Sequence, residues 1–196
     1  MKPNVMNRFA PIVLFFSLIV FTGCGVSTTT VGSLAPTETQ YLSTAGINEA
    51  EPDFNLYGRT IDDDNFNLTS LRGQYVLVKF TATWCGPCAG AIPMMQRFYE
   101  QYNDKGLEIV SVYVFQTRPG QDPVATVRNY VAEKGLPWIV LSEELTTRAG
   151  LPAQGEAFDI EGVPTFFLLD REGKVIVDAT HSVTDIPPVL RNLFGN

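Results

Sequence analysis

A strand pattern that runs directly into a pair of cysteines constrains the fold of this chain more than any other feature of its 196 residues. Residues 75–82 read YVLVKFTA, and such a run of β-branched and aromatic residues predicts a buried strand. Cys85 and Cys88 follow, separated by Gly-Pro, and the pattern beyond them predicts a helix that reaches about Tyr102. The two cysteines therefore fall one turn apart, where a buried strand gives way to a helix.

The remaining chain continues to alternate between strand and helix patterns. A short hairpin with its turn near Gly58 precedes the first strand, and a further turn is expected at Gly73. Asp122 as N-cap, Pro123 at the first helical position and Gly135 as terminator delimit a second helix. The other predicted elements are strands at 107–115 and 137–141, a hairpin across 163–179, and helices at 142–150 and 184–194. This order predicts an α/β domain with a central mixed sheet, helices on both faces and an N-terminal hairpin extension.

The spacing of the two cysteines suits reversible disulfide chemistry. Residues i and i+3 lie on one helix face, with β-carbons about 5–6 Å apart, so a disulfide can form and break with little movement. Cys85 falls at the helix start, where unpaired N–H groups and the helix dipole stabilise a thiolate, the attacking species. We therefore expect an exposed Cys85 to be the nucleophile and a more buried Cys88 to resolve the mixed disulfide. Trp84 is expected to shield one side and offer a flat contact surface.

Other interpretations of the cysteine pair remain open at this point. A structural disulfide is conceivable in an exported protein, but such bridges usually close long loops and this one closes almost none. A zinc site needs about four ligands, and His181 is the one further good candidate, so no metal is expected. His181 itself is expected to be a solvated loop residue. A Cys-x-x-Cys pair beside a βαβ pattern favours a redox motif over these interpretations and over a chance pair of buried cysteines.

The first 23 residues have the layout of a secretory signal peptide. A basic start is followed by an apolar run at residues 9–21 and then by small residues around Cys24. The run is short for a bilayer span, which needs about 20 residues, although an uncleaved anchor helix is an alternative. The stretch FTGC resembles a bacterial lipobox with Phe21 in place of the usual leucine. Cys24 is therefore expected to carry the lipid anchor rather than to take part in redox chemistry.

Beyond Cys24 the chain divides into a linker and one domain. Residues 24–50 are rich in Ser and Thr and predict a flexible tether, and residues 51–196 carry the predicted sheet and helices. The formal net charge is −7, which argues against a nucleic-acid partner.

The motifs together resemble the thioredoxin superfamily. They are WCGPC at 84–88, Pro93 five residues after the second cysteine, and GVPT at 162–165. The stretches PDFNLYGRT, FNLTSLRGQYVLVKFTATWCGPC and FDIEGVPTFFLLDREGKV are similar to the TlpA/ResA branch of exported, membrane-tethered thiol-disulfide oxidoreductases.

The resemblance implies roles for several further residues. Pro164 would be a cis-proline packed against the disulfide, and the backbone of Val163 would hydrogen-bond the client chain. Gly86 and Pro87 would contact that chain as well. No cofactor is implied beyond the redox-active disulfide itself.

The chain departs from its relatives at two positions that handle protons. Many members of the branch carry a glutamate where this chain has Ala91, and thioredoxins carry a buried aspartate where it has Lys79. Strand alternation places Lys79 on the face of Leu77, beneath the active-site helix. Its ammonium could reach water or a carboxylate such as Asp170 or Glu161. Alternatively, burial lowers its pKa and Lys79 accepts the Cys88 proton or stabilises the Cys88 thiolate.

The expected function is reduction of disulfides in exported proteins of the bacterial cell envelope, on the periplasmic side or at the cell surface. A transmembrane thiol-disulfide carrier is the implied electron donor, and apocytochrome c is a frequent client of the branch. A peroxiredoxin-like peroxidase is an alternative, but its PxxxTxxC motif would need proline and threonine where this chain has Val78 and Ala82. A non-catalytic metal-delivery module that uses the two thiols is the alternative from another class.

Overall fold

The computed structural model describes residues 54–116 and 119–195. These residues belong to one compact unit that spans Asn48–Asn196. The predicted signal peptide, the predicted tether and Cys24, the predicted site of lipid attachment, lie outside the described residues. In the part of the chain that is described, no helix combines the length and the apolar character that a bilayer span needs.

Two sheets and five α-helices make up the described domain. The strands are β1 Tyr57–Arg59, β2 Asn65–Asn67, β3 Tyr75–Thr81, β4 Leu107–Tyr113, β5 Ile139–Ser142, β6 Thr165–Leu169 and β7 Val175–Thr180. The helices are α1 Gly86–Tyr102, α2 Pro123–Lys134, α3 Glu143–Arg148, α4 Gln154–Ala157 and α5 Ile186–Phe194, and short 3₁₀ turns lie at Leu68–Leu71, Asn103–Lys105 and Val183–Asp185.

The central sheet is mixed, which confirms the predicted fold class. Its strand order is β5-β4-β3-β6-β7, with β3, β4 and β5 parallel and with β6 and β7 antiparallel to their neighbours. The hairpin of β1 and β2 forms a separate two-stranded sheet. Strand β3 therefore lies at the centre, and the chain that leaves it enters α1 directly.

Alternate residues of β3 enter two different apolar clusters. Leu77 packs in a cluster with Ile92 and Met95 of α1, whereas Val78 and Phe80 belong to the cluster that includes Phe54 and Leu56 from the N-terminal segment. Burial on both faces explains why the strand reads as a continuous apolar run. It also means that any polar side chain on β3 is enclosed by the domain.

Helix boundaries follow the signals in the sequence closely. Asp122 caps α2 by accepting hydrogen bonds from the backbone N–H groups of Val124 and Ala125, and Gly135 ends the helix in the left-handed conformation with φ of 58°. Ser142 caps α3 in the same way through Leu145.

The expected turn at Gly58 is wrong. Gly58 lies within β1 opposite Phe66, and the hairpin turns at residues 60–64, where the N–H of Thr60 donates to the carbonyl of Asp64. The glycine serves packing instead, since a β-carbon there would lie 2.7 Å from Thr146 Oγ1. Helix α4 was also missed, because four residues are too few to produce an apolar period.

Candidate active site

Cys85 and Cys88 form a disulfide at the start of α1. Their Cα atoms are 5.2 Å apart and the S–S distance is 2.09 Å. Cys85 is the N-cap of the helix, and the backbone N–H of Cys88 donates to its Sγ at 3.1 Å. In the reduced protein the same donor and the helix dipole would stabilise a thiolate on Cys85.

The disulfide is less accessible than the sequence suggested. Cys85 was expected to be exposed, but it is 5% exposed, against 1% for Cys88. Ala82 and Val163 pack against the two cysteines and account for this burial. Cys85 is still the more exposed residue of the pair, which is the order expected if Cys85 is the attacking cysteine.

The turn before β6 lies across from Cys85. The Val163–Pro164 peptide bond is cis, and Pro164 is buried. The carbonyl oxygen of Val163 lies 3.5 Å from Cys85 Sγ. Residues 162–165, which we call the cis-proline turn, therefore form one wall of the site.

An exposed rim surrounds the disulfide on the side of Trp84. Trp84 is 47% exposed, and its indole Nε1 donates to the carbonyl of Phe115 at 2.9 Å. Gly86 and Pro87 are exposed at the first turn of α1. These residues and the cis-proline turn leave the disulfide at the base of a shallow contact surface.

Lys79 lies beneath the disulfide and is 2% exposed. Its Nζ donates to the carbonyl oxygen of Cys88 at 2.9 Å. Burial lowers the pKa of Lys79 from 10.5 to about 8, because desolvation disfavours the ammonium form. The side chain thus reaches the backbone of the second cysteine.

The expectation that Lys79 extends to water or to a carboxylate is wrong. Within residues 54–116 and 119–195, Lys79 forms no ion pair, with Glu161, Asp170 or any other acid. Asp170 instead accepts backbone hydrogen bonds from Glu172 and Lys174 in the β6–β7 turn. Strand alternation directs Lys79 to the enclosed face of the sheet, under α1, and its stem cannot reach solvent from there.

His181 is a residue of the site that the sequence did not reveal. Its imidazole is exposed, as expected of a loop residue, but Nδ1 lies 2.8 Å from the carbonyl oxygen of Pro164 and 3.3 Å from Thr165 Oγ1. Sixteen or seventeen residues separate these partners. No local pattern could have predicted the contact, because it depends on the pairing of β6 with β7.

In the described part of the chain, no cluster of three or more histidine, cysteine, aspartate and glutamate side chains is arranged to hold an ion.

Residues 47–192 match the model of the Redoxin family. The chain belongs to the Redoxin family. It is 33% identical to the thiol-disulfide oxidoreductase ResA of Bacillus subtilis over 64% of this chain and 65% of that protein. It is 29% identical to the ResA of Bacillus cereus over 84% of this chain and 85% of that protein.

Solved structures show the same architecture. The thioredoxin domain of a thiol-disulfide oxidoreductase from Bacteroides vulgatus superposes with a TM-score of 0.59 at 21% identity, over 73% of this chain and 95% of that one. A thioredoxin-family thiol:disulfide interchange protein from Chlorobium tepidum gives a TM-score of 0.52 at 28% identity, over 72% and 94%. This Redoxin-family chain is thus a TlpA/ResA-like member of the thioredoxin superfamily. Its disulfide and its relatives together support the enzyme class of thiol-disulfide oxidoreductase.

Proposed function

We propose that this protein reduces disulfides of exported proteins in the bacterial cell envelope. The observation that carries the proposal is the Cys85–Cys88 disulfide at the N-terminus of α1, with the Sγ of Cys85, the more exposed residue of the pair, facing the cis-proline turn. A disulfide that closes so short a loop adds little stability, which favours a redox role over a structural one.

The exchange proceeds in two displacements. The Cys85 thiolate attacks one sulfur of the client disulfide, whose S–S bond breaks, and the departing client thiolate takes up a proton. The Cys88 thiolate then attacks Cys85 Sγ in the mixed disulfide and releases the second client thiol. Two electrons pass from the cysteine pair to the client, and the protein is left with the Cys85–Cys88 disulfide that the structure contains. A dithiol donor, for which we propose a transmembrane thiol-disulfide carrier, restores the reduced pair.

The surface around the disulfide suits an extended polypeptide. The exposed Trp84, Gly86 and Pro87 border it on one side, and the backbone of Val163 borders it on the other. We propose that the client chain lies between them and hydrogen-bonds the backbone of Val163, as the family resemblance implies.

A lipid anchor on Cys24 would keep this chemistry at a membrane. The basic start, short apolar run and FTGC stretch of the first 24 residues support export and acylation. Several acyl chains hold a protein firmly to a bilayer, whereas a single one does not. The Ser/Thr-rich residues 24–50 would then act as a tether between the membrane and the domain.

Lys79 is proposed to accept the Cys88 proton. A charged ammonium has three donors, yet among the described residues Lys79 Nζ has one hydrogen-bond acceptor, the Cys88 carbonyl oxygen, and the side chain is almost completely buried. Such a site raises the neutral fraction of the amine above that of a solvated lysine, although the ammonium still predominates at pH 7, and the neutral form retains a lone pair close to the second cysteine. With a pKa of about 8, the amine is matched to a thiol, whose ordinary value is about 8.5. Proton transfer to Lys79 generates the Cys88 thiolate that resolves the mixed disulfide.

Stepwise reaction with 5,5′-dithiobis(2-nitrobenzoate) tests the role of Lys79. The first nitrothiobenzoate is released by Cys85 and the second by Cys88, so the two phases report attack and resolution separately. In Lys79→Met we expect the second phase to slow by about tenfold or more and to shift to higher pH, with the first phase unchanged. The exposed Lys174→Met is the matched control. A second phase with the wild-type rate and pH profile would leave Lys79 as a packing residue.

Trapping of mixed disulfides tests the exchange itself. All proteins carry Cys24→Ser, so the chain's other two cysteines are the only reactive thiols. With Cys88→Ser, client-linked species should accumulate on Cys85, and with Cys85→Ser they should be absent. The reverse pattern would exchange the two roles. Failure of the wild type to reduce insulin, combined with retention of metal through gel filtration, would favour the metal-delivery alternative.

A further inference from the structure

We propose that His181 is a positioning residue that holds the cis-proline turn in the conformation that accepts client polypeptides. The inference rests on the proposed reductase function and adds a residue to it. Its basis is the contact between the imidazole Nδ1 and the carbonyl oxygen of Pro164, at 2.8 Å.

The partners of the ring determine its tautomer. A peptide carbonyl can only accept a hydrogen bond, so Nδ1 of His181 must carry a hydrogen and donate it to Pro164. Thr165 Oγ1 lies 3.3 Å from the same nitrogen, but its own hydrogen goes to the carbonyl of Gly162 at 2.7 Å. Each donor in the group therefore has one acceptor. Because Nδ1 keeps its hydrogen when Nε2 binds a proton, the contact persists in both charge states of the ring.

These bonds hold two carbonyl groups on either side of Val163. The hydroxyl of Thr165 binds the carbonyl of Gly162, and His181 binds that of Pro164. Val163 lies between them and carries the carbonyl that is 3.5 Å from Cys85 Sγ. Its orientation relative to the disulfide is thus set from both sides. Val163 is also the residue whose backbone is proposed to bind the client.

An irregularity in β7 brings His181 to this turn. Between the pairs Phe166–Thr180 and Leu168–Val177, β6 advances by two residues and β7 by three, so β7 contains a bulge. Ala179 lies in the bulge with φ of 34°, a left-handed conformation that residues other than glycine adopt at an energetic cost. Bulges redirect the side chains that follow them, often beside active sites. His181 lies two residues after Ala179, and the strained residue is consistent with a geometry that is maintained for function.

The experiment compares a polypeptide substrate with a small one. Insulin needs the backbone of Val163 to align its chain, whereas 5,5′-dithiobis(2-nitrobenzoate) needs only access to the Cys85 sulfur. The proteins are the full-length chain with Cys24→Ser, alone and combined with His181→Leu, His181→Asn or His181→Gln. The amide nitrogen of Asn occupies the position of Nδ1 and can restore the donor, whereas that of Gln corresponds to Nε2 and cannot.

We expect His181→Leu and His181→Gln to lower kcat/KM for insulin by about tenfold, with the first phase of the small reagent within about twofold of wild type. His181→Asn should recover at least half of the insulin activity.

The inference is overturned if His181→Leu and His181→Gln both reduce insulin at the wild-type rate, if both substrates slow equally, or if His181→Asn reduces insulin no faster than His181→Gln. The Asn and Gln pair decides the question even if the Leu variant does not fold. A wild type that reduces the small reagent but not insulin overturns the proposed function, and the inference with it.

The tautomer of the His181 ring can be measured by NMR in the unsubstituted protein. His181 is the only histidine of the chain, so the imidazole signals of a ¹⁵N-labelled sample need not be assigned to a residue. At alkaline pH, we expect the hydrogen on Nδ1, although free histidine prefers Nε2. A dominant Nε2–H form in solution would contradict the hydrogen bond to Pro164.

Discussion

The disulfide lies between two sides of different chemistry. On the helix side, formed by β3 and α1, Lys79 is almost completely buried, and within the described residues it makes a single hydrogen bond, to the Cys88 carbonyl oxygen. On the turn side, formed by the cis-proline turn and His181, two short hydrogen bonds hold a backbone that reaches solvent. By the proposals above, the helix side acts on the charge of Cys88, and the turn side acts on the geometry around Cys85.

The two sides differ because the helix side is closed to solvent and the turn side is open to it. In a dry environment a charge is expensive and its effect on neighbouring groups is weakly screened, so one lysine can change how readily Cys88 loses its proton. Beside water a hydrogen bond contributes only about 1 kcal/mol, so several are needed to fix one conformation. Substitutions on the helix side should therefore have large and pH-dependent effects on stability, and those on the turn side small ones.

The largest effect is expected for Lys79→Met, which should stabilise the oxidised protein at neutral pH. Since the pKa of Lys79 is lowered from 10.5 to about 8, the ammonium in the folded state costs on the order of 3 kcal/mol below pH 8. Removal of the charge recovers that cost, and loss of the hydrogen bond to Cys88 offsets roughly 1 kcal/mol of it. We expect the variant to be about 2 kcal/mol more stable at pH 7, measured by urea denaturation.

The pH dependence of that difference separates charge from packing. Between pH 8 and 10.5 the folded state holds a neutral amine while the unfolded state stays protonated, so the wild type gains stability as pH rises and the advantage of Met shrinks. Burial raises the pKa of Tyr99, Tyr113 and Tyr130, which lowers stability at high pH, but it does so in both proteins and cancels in the difference. A pH-independent difference, or a less stable variant at pH 7, would show that Lys79 carries no buried charge.

The two sides also differ in how far the sequence predicts them. The start of α1, the cysteine spacing and the orientation of Lys79 follow from local patterns, because strand alternation and helix signals extend over a few residues. The burial of Lys79 follows only once both faces of β3 are known to be covered. His181, Gly58 and the bulge at Ala179 depend on neighbours that are distant in the chain, so no local period indicates them.

The smallest effect is expected for Ala179→Gly on the turn side. Ala179 is exposed, so the substitution removes no packing, and its φ of 34° suits glycine better than alanine. Relief of roughly 1 kcal/mol of backbone strain is opposed by an entropic cost of about 0.4–1 kcal/mol in the unfolded chain. The free energy of unfolding should therefore stay the same or rise by less than about 1 kcal/mol.

Ala132→Gly provides the matched control for this prediction. Ala132 is also exposed but lies within α2, where glycine costs about 1 kcal/mol relative to alanine. The two variants make the same chemical change, so the difference between their free energies of unfolding isolates the backbone conformation. If Ala179→Gly destabilises the protein as much as Ala132→Gly does, the bulge holds no strain. A strained β7 would then no longer account for the position of His181, whereas the hydrogen bond from His181 to Pro164 does not depend on that strain.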